Sequence, residues 1–311
     1  MGGWLESLVP WGIEVIVWVQ SLSNPFLDAV FGAITFLGNA EFYLLALPIV
    51  YWCVHKQVGV ALGYLSLFSV WFNDAVKYLF KIPRPEAFDT RIRVLAEETN
   101  PSFPSGHAQN AVAVWGYLAY RSRNWIFTVI AVLLILAIGL SRIVLGVHFP
   151  EDLIGGWLIG LVSLVVYIWA EPPVERWLAR QSVAAQTVLA VGVPVLLIFL
   201  HPTDAEGLYP AARSVAPMSA LVGFGLGVIM ERQTVRFRVA GPWWQRSLRF
   251  LVGLVLVALF YLGPSLILPD DMAYSLEATV HFVRYALVGW AVTFLCPWLF
   301  VRLGLAGQEE M

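Results

Sequence analysis

The sequence predicts an all-α fold: a polytopic transmembrane helical bundle of about nine spans, with an N-terminal interfacial amphipathic helix. Three observations lead there. Hydrophobic residues fill 59% of the 311 positions and charged ones only 13%, against about 45–50% and 25% in soluble domains. The apolar residues gather in runs near the roughly 20 residues that cross hydrocarbon. Ahead of those runs, Trp4, Trp11 and Trp18 recur every seven residues and so line one stripe of a helix. A chain this apolar cannot hide its surface in one water-soluble core. That excludes disorder and a soluble Rossmann or barrel enzyme. A net charge of −2 excludes a basic nucleic-acid binder. Two cysteines, Cys53 and Cys296, both inside apolar runs, cannot build a disulfide framework or a zinc site.

Taken in order, residues 1–35 form the interfacial segment. Within 4–34, Glu6, Glu14, Ser21, Ser23, Asn24 and Asp28 interrupt the apolar positions, which suits a helix lying in the headgroup region where indoles prefer to sit. The competing reading is one more full span. The first residues carry no basic stretch or small-residue cleavage site, so no removable signal peptide is expected. Nine spans follow at 36–54, 58–81, 107–120, 125–147, 152–170, 184–200, 214–230, 249–268 and 279–301. The third is short by the length criterion. Residues 36–170 hold nearly all polar groups at membrane depth and read as a catalytic transmembrane core. Residues 171–311 add plainer helices of the same domain, after a weak candidate boundary at 171–183.

Basic residues between spans set the orientation. One side carries Lys56, Arg121, Arg123, Arg176, Arg180, Arg232, Arg236, Arg238, Arg246, Arg249 and Arg302. The other carries Lys77, Lys81, Arg84, Arg91, Arg93, Arg142 and Arg213, together with the acids Asp89, Glu97, Glu98, Asp204, Glu206, Asp270, Asp271 and Glu277; Arg284 lies within the last span. The first side is expected in the cytoplasm. The N-terminus is then outside, and the second side faces periplasm, cell exterior or organelle lumen.

Three polar clusters fall on that second side, each where a span opens or closes. They are Lys77-x6-Arg84-Pro85, Pro104-Ser105-Gly106-His107, and Ser141-Arg142-x5-His148-x3-Asp152. Lys77, Arg84 and Arg142 would each cost several kcal/mol unpaired near hydrocarbon, and snorkelling to the interface is the bland explanation for any one alone. Together with two histidines they imply a shared anion, and phosphate suits planar arginine donors and a compact lysine charge. Ser105 is a candidate N-cap, and the N–H groups of Gly106 and His107 would point at that anion. His148 and Asp152 lie four apart, so the carboxylate can accept from Nδ1 and leave Nε2 free to attack. Asp74, three residues before Lys77, is expected to hold that lysine. His55 reads as a solvated loop residue, and His201 and His281 as candidates for the pocket mouth. No His, Cys, Asp or Glu set has ligand spacing, so no metal is expected.

The three clusters resemble the tripartite signature of the type 2 phosphatidic acid phosphatase superfamily, matching eleven identities without a gap or substitution. The resemblance covers about residues 36–170. Nine spans with an outside N-terminus is also similar to its glucose-6-phosphatase and sphingosine-1-phosphate phosphatase branches. It implies a cofactor-free, metal-independent phosphatase acting through a phosphohistidine. His148 would be the nucleophile and Asp152 its orienting acid. Lys77, Arg84, Arg142, Ser105 and Gly106 would bind phosphate, and His107 would be general acid and then base.

The expected substrate is a phospholipid or an isoprenoid or sphingoid phosphate, entering from the bilayer. A soluble sugar phosphate and phosphoryl transfer to another acceptor stay open. A non-catalytic anion-binding transporter is the distant alternative; paired broken spans or inverted repeats would mark one, and binding alone does not need the histidines.

Overall fold

In a computed structural model, residues 3–203, 212–267 and 274–309 are described. The expected outer acids Asp204, Glu206, Asp270 and Asp271 lie outside them, as do the side chains of Trp4, Glu6 and Arg213. Among the described residues every extended element is helical, with one antiparallel bridge between Phe237 and Gln308. Seven helices are long and apolar enough to cross a membrane, or eight if the bent pair Pro25–Phe36 and Ala40–Val54 counts as one span. The chain is a multi-pass membrane protein.

The N-terminal segment is two helices, α1 (Gly3–Ser21) and α2 (Pro25–Phe36), where one was expected. The break has a local cause. Asn24 is extended, its side chain accepts from the N–H groups of Phe26 and Leu27, and Pro25 takes the first helical position. The expected span 36–54 begins later, as α3 (Ala40–Ile49) continued by a π turn over Val50–Val54. The pair Gly38-Asn39 falls in the gap between α2 and α3.

Helix α4 (Lys56–Phe80) carries Lys77 in its last turn. An irregular stretch with a short 3₁₀ turn (Pro85–Ala87) leads to α5 (Gly106–Ser122), whose 17 residues fall just short of a span. Helix α6 (Trp125–Val144) is capped by Asn124, which accepts from Ile126 N at 2.9 Å and Phe127 N at 3.2 Å. Helix α7 (Pro150–Leu178) includes Pro172 and Pro173, so the expected link at 171–183 shrinks to a few residues before α8 (Val183–Leu200). Then come α9 (Ala212–Met230), α10 (Trp243–Ile267), α11 (Tyr274–Trp290) and α12 (Cys296–Arg302), with π turns after α9 and α11.

The chain divides into two compact units. The first comprises Met1–Tyr43 and Phe72–Glu171, the second Leu44–Trp71 and Pro172–Met311. Within the first, Val9 and Ile16 of α1 are buried with Ile92, Ile143, Phe149 and Leu153. The opposite face of α1 leaves Trp11 and Trp18 exposed. Gln20 ties the end of α1 down through Arg93 O (2.8 Å), Arg93 N (2.9 Å) and Val144 O (3.1 Å). Leu133, Leu136, Leu158, Leu161 and Trp169 on α6 and α7 point outward, as surfaces meeting lipid do.

In the second unit, Tyr51, Trp52, Phe237, Val292 and Phe300 form the core. Buried Arg249 donates to the carbonyls of Trp52, Val239, Ala240 and Leu305, and Lys56 pairs with buried Glu231 at 2.7 Å. These close the unsatisfied carbonyls of its turns.

Candidate active site

All eight sequence-predicted site residues belong to the first unit. Lys77 and Arg142 stand in the last turns of α4 and α6, where the helix dipole favours cations. Arg84 is extended (ψ 160°), the conformation a following proline imposes. Ser105 caps α5, its hydroxyl accepting from Ala108 N at 3.4 Å. That leaves the first N–H groups of α5 facing outward from a helix N-terminus. A side chain at Gly106 would meet Asn73 Oδ1 at 3.0 Å, so glycine lets Asn73 close over the start of α5. Asn73 Nδ2 in turn donates to Gln109 Oε1 at 2.9 Å.

His148 sits in the tight connection between α6 and α7 and is 2% exposed. Its Nδ1 lies 3.0 Å from Asp152 Oδ2, the pair spanning the first turn of α7. The same carboxylate oxygen accepts from Phe149 N at 2.9 Å and, closely, from Ser102 Oγ. The backbone carbonyl of Asp152 accepts from Ser105 N at 3.0 Å, which links the second and third clusters directly. Helix α7 presses close here: a Cβ on Gly156 would come within 2.5 Å of Ser105 O.

The cations meet the same centre. Lys77 Nζ donates to the carbonyl of Pro101, closely, and to Ser102 O at 3.1 Å. It is thus hydrogen-bonded to the loop, and the charge of Asp74, its expected holder, also acts on it. Arg84 donates to Val147 O, next to His148, at 2.7 Å, and to Asn100 O at 2.7 Å. Arg142 reaches Thr35 Oγ1 at 2.7 Å, while its buried Nε has no hydrogen-bond partner among the described residues. Glu98 joins the two arginines, at 3.4 Å from Arg84 and closer to Arg142. Burial, and then the charges of Lys77, Arg84 and Arg142 and the ring of His107, hold the His148 imidazole well below its ordinary pKa. A neutral imidazole with Nδ1 engaged keeps a lone pair at Nε2.

His107 lies in the first turn of α5, with Nε2 2.8 Å from Asn39 Oδ1. A Cβ on Gly38 would touch its ring at 2.6 Å. The three clusters therefore converge, and the arrangement can hold an oxyanion beside two imidazoles. His201 and His281, expected near the mouth, belong to the second unit, where they meet Trp71 and Tyr285 edge to face. His55 is exposed at the turn before α4, in keeping with a solvated loop residue.

Sequence reasoning missed Thr35, Asn39, Asn100 and Ser102, and counted Glu98 only for its charge. The Gly38-Asn39 pair, a polar break between apolar runs, was the one local signal for Asn39.

Comparison with known proteins follows the same segments. The family model of the PAP2 superfamily matches residues 58–175, and that of the PAP2 superfamily phosphatase transmembrane extension matches 215–308. A dihydrosphingosine 1-phosphate phosphatase of Schizosaccharomyces pombe is 29% identical, over 66% of this chain and 52% of its own. Phosphatidylglycerophosphatase B of Bacillus subtilis is 29% identical, over 50% of this chain and 81% of its own. Glucose-6-phosphatase 3 of Bos taurus is 26% identical, over 95% of this chain and 96% of its own. The chain spans about half the length of several curated relatives it matches, the S. pombe protein among them. With both of its family segments matched in order around the converging clusters, the chain belongs to the PAP2 superfamily.

Proposed function

We propose that the chain is an integral-membrane, metal-independent phosphatase. It hydrolyses a lipid phosphate monoester or diphosphate through a phosphohistidine at the extracytoplasmic face. The observation that carries this is the buried His148–Asp152 pair, 3.0 Å apart, under the charges of Lys77, Arg84 and Arg142. Orientation by Asp152 and Ser102 frees Nε2 of His148 to attack phosphorus in line with the leaving oxygen. Lys77, Arg84, Arg142, the Ser105 hydroxyl and the Gly106 N–H hold the equatorial oxygens and offset the charge that builds in transit. As the bond to the leaving oxygen breaks, His107 gives that oxygen a proton. Water then attacks the phosphohistidine, its proton passes to His107, and the phosphorus–nitrogen bond breaks to restore His148 and release inorganic phosphate.

In this reading nine crossings are made by the seven long helices, the bent pair and α5, which at 17 residues spans roughly 26 Å. Helix α1 lies in the outer interface with Trp11 and Trp18 in the headgroups. The N-terminus is outside and the C-terminus cytoplasmic. Residues 36–170 supply the catalytic core and 171–311 further helices of the same domain. The lipid enters from the bilayer. A second reading, a soluble sugar phosphate as substrate, is favoured by the near end-to-end alignment with glucose-6-phosphatase 3.

One panel tests both. Purified protein in detergent with EDTA is offered phosphatidic acid, phosphatidylglycerol phosphate, a sphingoid-base phosphate, a polyprenyl diphosphate and glucose 6-phosphate. Phosphate release from a lipid above that from glucose 6-phosphate, unaffected by EDTA and blocked by vanadate, is expected. A Mg²⁺ requirement overturns the metal-free mechanism, and preference for the sugar phosphate selects the second reading.

A further inference from the structure

One acidic side chain stands where the substrate's oxygens belong. Glu98 reaches Arg142 with one carboxylate oxygen and Arg84 with the other, the two-oxygen bridge a phosphate would make between the same guanidinium groups. Its partners are fixed: Arg84 is 6% exposed and held by the carbonyls of Val147 and Asn100, and Arg142 is 2% exposed and held by Thr35. Glu98 is not fixed in that way. Its side chain is 24% exposed, and its backbone lies in an irregular stretch anchored before it by Leu95 N on Leu145 O and after it by Asn100, whose carbonyl Arg84 holds. The charge next to the nucleophile is therefore balanced by a carboxylate that can swing towards solvent while the arginines stay in place.

We infer, on the phosphatase reading above, that Glu98 is a resident counter-anion of the phosphate cradle. It satisfies Arg84 and Arg142 between turnovers, gives way to the incoming phosphate group, and returns to displace inorganic phosphate once His148 is restored. Two buried guanidinium groups without a counter-charge would be costly. Glu98 meets that need, and by competing for the same donors it keeps the product from staying bound. No bond is made or broken by Glu98 itself. It acts on affinity and on product release.

The sign of one measurement decides between this role and simple positioning of the arginines. Vanadate and inorganic phosphate binding are measured by thermal shift in detergent for the wild type, Glu98→Gln and Glu98→Asp, alongside product inhibition of turnover. A resident competitor predicts that Glu98→Gln binds both anions about tenfold more tightly or better, as expected for removing a charge-assisted contact. It also predicts correspondingly stronger inhibition by phosphate. Glu98→Asp, with its shorter reach, shifts the same way by less, and keeps the test alive should the glutamine variant not fold. Equal or weaker anion binding in the variants overturns the inference and makes Glu98 a positioning residue. A wild type that binds neither anion removes the phosphate site itself, and this inference with it.

Discussion

His107 points Nε2 at Asn39 Oδ1, 2.8 Å away. A carboxamide oxygen only accepts, so the contact keeps a proton on Nε2 and fixes the ring, and the proton that the mechanism passes to the leaving oxygen is the one the protonated ring carries on Nδ1. Asn39 is a positioning residue in this scheme. Asn39→Ala should lower kcat on a phosphate monoester by about tenfold and affect a diphosphate less, because phosphate leaves with less need of a proton. In a His107→Ala background the same change should add nothing. Steady-state kinetics on the two substrate classes check both statements, and equal losses on both would remove His107 from the acid role.

His148→Ala should reduce turnover by about a thousandfold or more, the usual cost of losing a nucleophile. Acid-quenched labelling with a radioactive substrate should show a phosphorylated wild type and an unlabelled variant. Asp152→Asn should keep the label but slow its formation. Substantial activity in His148→Ala would displace it as the nucleophile.

Acidification should destabilise the protein through His148. Its imidazole stays neutral in the folded state well below the ordinary histidine value, because burial and three nearby cations oppose its charge. In the unfolded chain it takes up a proton near pH 6.5. Below that pH the unfolded state binds more protons, so stability falls as pH drops, by up to roughly 1.4 kcal/mol per unit for one group. Above pH 6.5 the group contributes no slope. Between pH 6.5 and 5 the thermal midpoint of the wild type in detergent should lose ground relative to that of His148→Gln, and parallel pH profiles for the two would remove this contribution.

Gly156→Ala should damage the site without touching a catalytic group. The new Cβ would meet Ser105 O at 2.5 Å and the Ala108 side chain at 3.0 Å, pushing α7 from the cap of α5. About 1–3 kcal/mol of stability should be lost, and kcat should fall because the Ser105 N to Asp152 O bond stretches. A midpoint and kcat both equal to wild type would contradict the close packing.

What the residues announce in advance is the chemistry at fixed short spacings. Ser105 as a cap, Pro150 opening α7 and the His148–Asp152 turn all follow from local rules of helix ends, and the structure has them as read. What stays hidden depends on tertiary approach. Thr35 and Asn39 look like ordinary polar interruptions until α2 and α3 bring them to Arg142 and His107. Lys77 sits one turn from Asp74, yet it hydrogen-bonds to loop carbonyls of Pro101 and Ser102 that no periodicity foretells. The break at Asn24-Pro25 was legible as cap and proline, and the heptad of tryptophans ends before it, at Trp18 in α1.

Thr35 and Asn39 both precede the stretch matched by the PAP2 superfamily model, which begins at residue 58. Anyone trimming this chain to its recognisable portion, for expression or for grafting onto another scaffold, would discard the hydroxyl that holds Arg142 and the amide that aims His107. On the proposed mechanism the site is larger than its signature, and Thr35 and Asn39 belong to it.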